Sequence, residues 1–235
     1  MVPLRDSSSI TVLAIDTSQS VLGLALLRGS SLLASLLDDS GLPHSQRLFP
    51  LIESTLREHH LAITDIDLFA VNTGPGSFTG LRVGLAAVRG IAATLGKPVL
   101  GVGALDALAL DIEDPEAIII SLLNATREEV FIGKRRRMAE GQVQIIGSDR
   151  VLPVARVAQL LATEIGEEKA ILIGNGATMI WPDIPQQSEF ALALAPVSLA
   201  PTIARWASRQ GAPSATAKIE AYYLRPSDAE IKKLA

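Results

Sequence analysis

The stretch that most restricts the possible folds of this chain runs from residue 68 to residue 95, LFAVNTGPGSFTGLRVGLAAVRGIAATL. A short apolar strand at 68–71 leads into a loop with Gly74, Gly76 and Gly80, and the loop opens onto a long helix. Beyond Gly80 the apolar residues repeat at helical spacing. This order of strand, glycine loop and helix predicts one unit of an α/β sheet.

The glycine loop matches neither of two common phosphate-binding motifs. One motif needs a lysine followed by serine or threonine at its end, whereas this loop ends in Phe78, Thr79 and Gly80. The dinucleotide-binding fingerprint needs its third glycine one residue earlier, and Pro75 occupies the middle of the loop here. The loop therefore either holds a nucleotide or uses its glycines only to shape a turn, and the pattern alone favours the turn.

The composition excludes several classes of function. The 235 residues include no cysteine, which rules out disulfides, thiolate chemistry and cysteine-type zinc sites. The net charge of -4 gives no general affinity for nucleic acid or membranes. Residues 1–9 predict a frayed polar tail without a signal peptide, and a cytoplasmic location is expected. Charges that argue against a membrane span interrupt the longest apolar region, 81–110, at Arg82, Arg89, Lys97 and Asp106.

The order of predicted elements repeats in the two halves of the chain. The first half gives strands at 11–15, 21–27 and 31–37, a helix at 43–60, the strand and helix described above, and a strand at 98–102. The second half gives strands at 117–123, 130–136 and 143–147 with a turn at 139–141, a helix at 154–165, a strand at 170–173, a glycine turn at 174–176 and a helix near 202–209. Two linked βββαβα lobes predict the α/β fold class of actin, Hsp70 and the sugar kinases (ASKHA). We expect a tail at 1–9, lobe I at 10–106, lobe II at 107–220 and a C-terminal segment at 221–235 that can return to lobe I.

In that fold class a nucleotide lies between the lobes, held by the turns after the first strand of each lobe. Lobe I offers Asp16, Thr17 and Ser18, whose carboxylate could order a magnesium ion and whose hydroxyl groups could hold phosphate. Lobe II offers Asn124, which is neutral and a poor ligand for a hard cation. Either Asp16 fixes its own turn, or a vestigial nucleotide site remains. The residues of such a site are Asp16, Thr17, Ser18, Gly74, Gly76 and Ser77.

Other catalytic candidates are few, and no catalytic or metal-binding set is predicted. The histidines His44, His59 and His60 do not form the i, i+4 pair of a helical zinc site. Ser77 lies in no G-x-S-x-G elbow and has no predicted base. One basic cluster is predicted to protect an exposed sheet edge, with RNA contact as a second interpretation. This cluster consists of Lys134, Arg135, Arg136 and Arg137.

Three segments resemble the TsaB family, also called YeaZ. They are LAIDTS at 13–18, PHSQRLFPLIESTL at 43–56 and, most specifically, NTGPGSFTGLRVGLAAVRGIA at 72–92, with weaker similarity at 96–109 and 222–229. The resemblance implies the two-lobed actin-like fold and a non-catalytic partner of TsaD, a metal- and nucleotide-binding paralogue. With TsaE, and with the threonylcarbamoyl-adenylate that TsaC makes, such complexes produce threonylcarbamoyladenosine next to the tRNA anticodon. ATP and metal are thus expected on TsaD, and tRNA is expected to meet this chain only through the complex.

The resemblance places the TsaD contact on the helix at 43–56 and on the helix after the glycine loop. Small residues would allow close helix approach there, so leucine at Gly84 is expected to block TsaD binding while leaving the monomer folded. Exposed apolar area on these helices also predicts a homodimer in isolation. The predicted contact residues are His44, Ser45, Arg47, Leu48, Leu51, Ile52, Gly80, Arg82, Gly84, Ala87 and Val88.

Two positions depart from the family pattern. Asn124 begins the segment where members usually carry Asp-Ala-Arg, which weakens any claim of residual nucleotide binding. Gln46 stands where members usually carry the glutamate of His-Ser-Glu, which slightly changes a partner surface. Two other functions stay open: a small-molecule kinase or ATPase of the actin-like superfamily, and a metalloprotease-like protein.

Overall fold

The computed structural model describes residues 10–138, 142–165, 168–184, 190–212 and 219–225. The chain divides into two compact units. Unit 1 contains the residues up to Ala104 together with Val197–Tyr222, and unit 2 contains Leu105–Pro196 together with the chain from Tyr223 onward. The predicted tail at 1–9, the predicted turn at 139–141 and positions 226–229 of the weaker family similarity lie outside the described residues.

The described residues form ten strands and six α-helices. The strands are β1 (Thr11–Asp16), β2 (Leu22–Arg28), β3 (Ser31–Asp38), β4 (Leu68–Asn72), β5 (Val99–Val102), β6 (Ile118–Asn124), β7 (Glu129–Arg137), β8 (Val143–Pro153), β9 (Ala170–Ile173) and β10 (Phe190–Leu192). The helices are α1 (His44–Glu58), α2 (Phe78–Leu95), α3 (Ala104–Leu110), α4 (Val154–Glu164), α5 (Asn175–Ile180) and α6 (Ala200–Gln210).

Unit 1 is built on a mixed sheet with the strand order β3-β2-β1-β4-β5. β1 lies at its centre, antiparallel to β2 and parallel to β4. Every residue of β1 and β4 is buried, as expected for strands with helices on both faces of the sheet. One face packs against α1 and α2 around Leu13 and Phe69. On the other face α6 packs against β1, β2 and β4, and Gly23 leaves the space that Ser198 and Ala200 fill.

Unit 2 repeats this pattern with the strand order β10-β9-β6-β7-β8. β6, β7 and β8 are antiparallel neighbours, whereas β6, β9 and β10 are parallel. The repeat confirms the predicted fold class with two βββαβα-type lobes. β8 was predicted to end at residue 147 but continues to Pro153. Gly147 has a positive φ of 73°, and the pairing with β7 shifts register between Ile132 and Lys134, so a bulge at this point lets the strand continue. β10 and α3 have no counterpart among the predicted elements.

Residues 197–222 belong to unit 1, unlike the predicted lobe II at 107–220, whereas the chain from Tyr223 onward, within the segment predicted to return to lobe I, belongs to unit 2. α6 packs on the first sheet, where the N–H of Leu199 donates a hydrogen bond to Asp16 at 3.0 Å. Farther along, the N–H of Tyr222 donates to the carbonyl oxygen of Thr73 at 2.7 Å. The periodicity of a helix tells which of its faces is apolar but not which sheet it covers, so the sequence pattern could not assign α6 to a unit.

α2 has the length and composition of a membrane span, because its 18 residues have a mean hydropathy of 1.3. Leu81, Leu85 and Val88 are nevertheless buried, and the helix packs against β4 and β5. A helix in the core of an α/β unit has the same apolar composition. The place of α2 in unit 1 therefore accounts for its hydropathy.

β7 is an interior strand of unit 2, so the prediction that its basic run protects a sheet edge is wrong. It pairs with β6 on one side and with β8 on the other. Arg135 is only 2% exposed and donates hydrogen bonds to the two carboxylate oxygens of Asp149 at 2.7 and 2.9 Å. Its Nε also donates to Asp106. Burial lowers the pKa of Arg135, but the hydrogen bonds to Asp149 and the charge of Asp106 outweigh burial and raise the pKa above its ordinary value.

Replacing Arg135 by alanine is expected to lower the free energy of unfolding by about 3–5 kcal/mol, because Asp149 is then buried without its partner. Arg136 gives a matched control, since its 3.3 Å contact with Glu168 joins side chains that are 40% and 61% exposed. Alanine at Arg136 is expected to cost about 1 kcal/mol or less. Urea unfolding of the two variants measures the difference, and equal losses would contradict a stabilising role for the buried pair.

Candidate functional site

The residues predicted for a nucleotide site lie together in unit 1, where the turn after β1 meets the loop between β4 and α2. The parallel pairing of β1 and β4 brings the ends of both strands to the same edge of the sheet. Asp16, Thr17 and Ser18 are all buried there. The N–H of Ser77, in the glycine loop, donates a hydrogen bond to the carbonyl oxygen of Ser18 at 2.7 Å. The two segments are therefore in direct contact.

Both carboxylate oxygens of Asp16 accept hydrogen bonds from the protein itself. Oδ1 accepts from the N–H and the hydroxyl of Ser18 at 3.1 and 2.7 Å and from the side-chain amide of Asn72 at 2.9 Å. Oδ2 accepts from the N–H of Leu199, which directly precedes α6, at 3.0 Å. These bonds support the interpretation that Asp16 fixes its own turn, and they add α6 to the parts that it holds.

Asn72 completes this network and was not among the residues predicted from the sequence. It ends β4 and is fully buried. Its amide nitrogen donates to Asp16 and to the hydroxyl of Ser18, both at 2.9 Å, and its amide oxygen accepts from the N–H of Gly74 at 2.8 Å. The sequence did contain a signal for this role. Asn72 is a polar residue at the end of an otherwise apolar strand, and it lies two residues before Gly74.

The glycines of the loop and of α2 are required because the turn after β1 approaches them closely. A Cβ at Gly76 would collide with the carbonyl oxygen of Ser18. A Cβ at Gly80 would collide with the carbonyl oxygen of Thr17, and a Cβ at Gly84 with the hydroxyl oxygen of Thr17. At Gly76 and Gly80 the colliding atoms belong to the backbone, and such a close backbone approach is possible only for glycine. The glycine pattern is therefore explained by packing within unit 1.

In unit 2, Asn124 occupies the position that Asp16 has in unit 1, at the end of the first strand of the sheet. Its N–H donates to the side-chain oxygen of Asn175 at 2.8 Å, and its own side-chain oxygen accepts from the N–H of Thr126 at 2.8 Å. The turn that follows contains positive φ angles at Thr126, Arg127 and Glu128, which side chains rarely allow. Asn124 thus organises its turn without supplying an anionic ligand for a hard cation.

Within the described ranges, no group of three or more histidine, aspartate or glutamate side chains is placed to hold a metal ion. His44 begins α1, and its Nε2 lies 3.0 Å from the carbonyl oxygen of Gln19, so Nε2 donates this hydrogen bond. His59 and His60 follow the other end of the same helix. A helix of this length separates its ends by about 22 Å. His44 therefore cannot bind the same metal ion as His59 or His60.

Two partly exposed cations, Lys134 of β7 and Arg150 of β8, are paired with an acid of α4. Lys134 contacts Glu164 at 2.7 Å, and Arg150 donates two hydrogen bonds to the same carboxylate at 2.9 Å. The hydrogen bonds from Arg150 and Lys134 lower the pKa of Glu164 to about 2. This pairing neutralises part of the positive charge of unit 2. Contact of the basic run with RNA stays a prediction.

The residues predicted to contact a partner divide into a buried set and an accessible set. The buried set offers little or no surface in the folded chain, because it packs inside unit 1, and it contains Leu48, Ile52, Gly80, Gly84, Ala87 and Val88. This burial also argues against the expectation that leucine at Gly84 leaves the monomer folded, since Thr17 already fills the space that the leucine side chain needs. The accessible or half-buried set contains His44, Ser45, Arg47, Leu51 and Arg82.

Arg47 is held in place by an acid of the first sheet. Its Nε donates to Asp38, at the end of β3, at 2.6 Å. The hydroxyl of Ser40 and the guanidinium of Arg47 together lower the pKa of Asp38 to about 2. The first turn of α1 is therefore fixed to the edge strand of unit 1.

An apolar groove of about 640 Å³ lies along α1 and includes one residue of α2. Phe49 is 54% exposed at this groove and was missed by the sequence prediction. Helical periodicity assigned the buried face of α1 to Leu48 and Ile52, which leaves Phe49 without a role, and no pattern marks an exposed aromatic as part of a groove. The lining residues are Phe49, Ile52, Glu53, Leu56, Arg57, His60, Leu61, Ile63 and Ile91.

Comparison with known proteins gives a family model and several named relatives. A family model described as TsaD, tRNA N6-adenosine threonylcarbamoyltransferase, matches residues 40–224. The chain is 35% identical to the tRNA threonylcarbamoyladenosine biosynthesis protein TsaB of Bacillus subtilis over 53% of its own length and 54% of that protein, so it spans about half the length of this relative. It is 27% identical to the protein of the same name from Escherichia coli over 77% of its own length and 78% of that protein.

Solved structures agree with this family. A Pseudomonas aeruginosa protein described as similar to the peptidase YeaZ has a TM-score of 0.71 and 28% identity, covering 92% of this chain and 100% of that one. Component A of (R)-2-hydroxyglutaryl-CoA dehydratase from Acidaminococcus fermentans has a TM-score of 0.51 and 12% identity over 86% of this chain and 99% of that one, a likeness of fold alone. Because the family model covers most of the chain, and the named relatives and the YeaZ-like structure carry the same family, this chain belongs to the TsaB (YeaZ) family within the group that the TsaD model describes.

Proposed function

We propose that this chain is a non-catalytic subunit of the complex that installs threonylcarbamoyl on the tRNA adenosine next to the anticodon, where it binds and supports a TsaD-type transferase. The names of its relatives in Bacillus subtilis and Escherichia coli support a place in threonylcarbamoyladenosine biosynthesis. The match to the TsaD model supports membership in the same biosynthetic system.

The observation that carries the proposal is the apolar groove along α1. Six of its lining residues are aliphatic or aromatic, and Phe49 is more than half exposed. Exposed apolar patches on a folded chain mark protein–protein contact sites. The groove includes Ile91 of α2, so it lies on the two helices that the family resemblance assigns to the TsaD contact. A partner that covers Phe49 and fills the groove would remove this apolar area from water.

Two features of unit 1 and unit 2 support a role without nucleotide chemistry. The carboxylate of Asp16 is hydrogen-bonded by Ser18, Asn72 and Leu199, so a magnesium ion would have to displace these donors. The corresponding position in unit 2 is the neutral Asn124. We therefore assign ATP and metal to the TsaD-type partner.

The remaining partners follow from the same assignment. TsaE would be a further partner in the same cytoplasmic complex, and tRNA would meet this chain only indirectly, through the complex. In the absence of TsaD, the apolar groove would associate with a second copy of the chain, since an uncovered patch favours self-association.

Aspartate at Phe49 is expected to weaken binding to the TsaD-type paralogue from the same cell by about thirtyfold, as substitution of a central aromatic residue in an interface costs about 2 kcal/mol. Isothermal titration calorimetry with the two purified proteins measures this affinity. Ile145 is the matched control, because it is also 54% exposed but lies on β8 of unit 2. Aspartate at Ile145 is expected to leave the affinity unchanged, and an equal loss in both variants would refute the assigned surface.

In isolation the wild-type chain is expected to be a dimer, and the Phe49→Asp variant a monomer, because a buried aspartate disfavours an apolar interface. Light scattering at high protein concentration measures both masses. A monomeric wild-type chain would contradict self-association through the groove.

Calorimetry of the chain alone with Mg-ATP is expected to show no binding, because the N–H groups of Thr73, Gly74 and Ser77 and the hydroxyl of Ser18 already donate hydrogen bonds within the chain. The complex with the TsaD-type paralogue is expected to bind Mg-ATP under the same conditions. Tight binding and turnover by the lone chain would instead favour the kinase or ATPase alternative. Stoichiometric zinc or iron in the purified chain would favour the metalloprotease-like alternative.

A further inference from the structure

The N-terminal part of α2 rests on the turn after β1 through an unusually tight set of contacts, which we call the turn–helix contact. It consists of Thr17 and Ser18 on one side and Gly76, Gly80 and Gly84 on the other. At each of the three glycines, a Cβ would lie within colliding distance of an atom of the turn. The distance between α2 and the sheet is therefore set by two residues of the turn.

The turn after β1 is held in place by hydrogen bonds within the first sheet. Ser18 lies between Asp16, to which its hydroxyl donates at 2.7 Å, and Asn72, from which its hydroxyl accepts at 2.9 Å. Asp16, Ser18 and Asn72 are each at most 2% exposed. A fully satisfied buried polar network of this kind is stiff, so the turn cannot easily retreat from α2.

α2 has opposite sides with different surroundings. Gly80, Gly84 and Val88 are buried against the rest of unit 1, whereas Arg82 and Arg89 are exposed. Because protein interiors are close-packed, a shift at the buried side moves the whole helix, including its exposed side. The turn–helix contact therefore determines where the exposed side of α2 lies.

We propose that Thr17 and Gly84 are positioning residues for partner binding: they fix the height of α2 above the sheet and so place its exposed side for the TsaD-type partner. This inference rests on the function proposed above, in which α1 and α2 form the partner surface. It also replaces the expectation that Gly84 touches the partner directly. Gly84 acts through Thr17 on the position of the helix.

A rescue experiment separates these two roles of Gly84. Alanine at Gly84 adds a Cβ that collides with the hydroxyl oxygen of Thr17, whereas the Cβ of Thr17 lies at an ordinary distance of 3.5 Å from that position. Alanine at Thr17 removes the colliding atom, and it breaks no hydrogen bond to the described residues, among which this hydroxyl has no partner. The double variant Thr17→Ala/Gly84→Ala should therefore restore the original position of α2.

Titration with the TsaD-type paralogue is expected to show about tenfold weaker binding for Gly84→Ala, which is a typical coupling between contacting residues. Thr17→Ala and the double variant are expected to bind with affinities within about twofold of the wild type. A difference of this size is no larger than the usual deviation from additivity between independent sites. Thr17→Val is the shape control, since valine keeps a methyl group where the hydroxyl was, and Thr17→Val/Gly84→Ala must stay weak. The proposal would be overturned if Gly84→Ala bound with wild-type affinity, or if adding Thr17→Ala to Gly84→Ala did not restore binding.

A second pair of variants covers the case in which Gly84→Ala does not fold. Ser18→Ala removes the hydroxyl that links Asp16 to Asn72, and Ser121→Ala removes an equally buried hydroxyl of unit 2 that donates to Leu105 at 2.7 Å. Ser18→Ala loses two buried hydrogen bonds and Ser121→Ala loses one, so both variants lose some thermal stability. Only Ser18→Ala is expected to weaken partner binding, and equal affinities would contradict the positioning role.

The position of α2 can also be followed without the partner. Backbone amide chemical shifts of Arg82, Ala86 and Arg89 in the free chain are expected to change in Gly84→Ala and to return in the double variant. If the wild-type chain does not bind the TsaD-type paralogue, the proposed function fails, while these shifts still decide whether Thr17 and Gly84 position the helix. Unchanged shifts in Gly84→Ala would reject the positioning role by themselves.

Discussion

The carboxylate of Asp16 joins three parts of unit 1 that are far apart in sequence. It accepts hydrogen bonds from the turn after β1, from Asn72 at the end of β4 and from Leu199 at the start of α6. A buried carboxylate is tolerated only when such bonds replace its lost water. Its place at the N-terminus of α6 adds a favourable interaction with the helix dipole. The first sheet, the glycine loop and α6 thus depend on one acidic group.

The glycines of the loop between β4 and α2 are accounted for by packing within unit 1. The N–H groups of Thr73, Gly74 and Ser77 donate to Val102, Asn72 and Ser18, so these donors are already used within unit 1. The close approach of Ser18 to the loop requires a glycine even without a ligand. The residues of this loop connect α2 to the sheet.

The local sequence pattern predicted most of the helices and strands. The features that it did not predict depend on contacts between residues that are far apart in the sequence. The strand at 170–173 and the helix after the glycine loop were predicted from periodicity, because each carries its own apolar face. α6 was assigned to the wrong half, since its partner Asp16 lies more than 180 residues away. Arg135 was misassigned to an edge because its acids, Asp106 and Asp149, lie on other elements. The buried network around Asn72 needed the pairing of β1 with β4, which no single segment contains.

The return of residues 197–222 to the first unit has a consequence for biosynthesis on the ribosome. All five strands of unit 2 have been translated once the chain reaches Leu192, whereas the first sheet still lacks α6 and Ile219. Until α6 has been synthesised, one apolar side of the first sheet stays uncovered in the nascent chain. Such transient exposure favours chaperone binding or aggregation. Vectorial synthesis therefore completes the sheet of unit 2 before unit 1 has received α6.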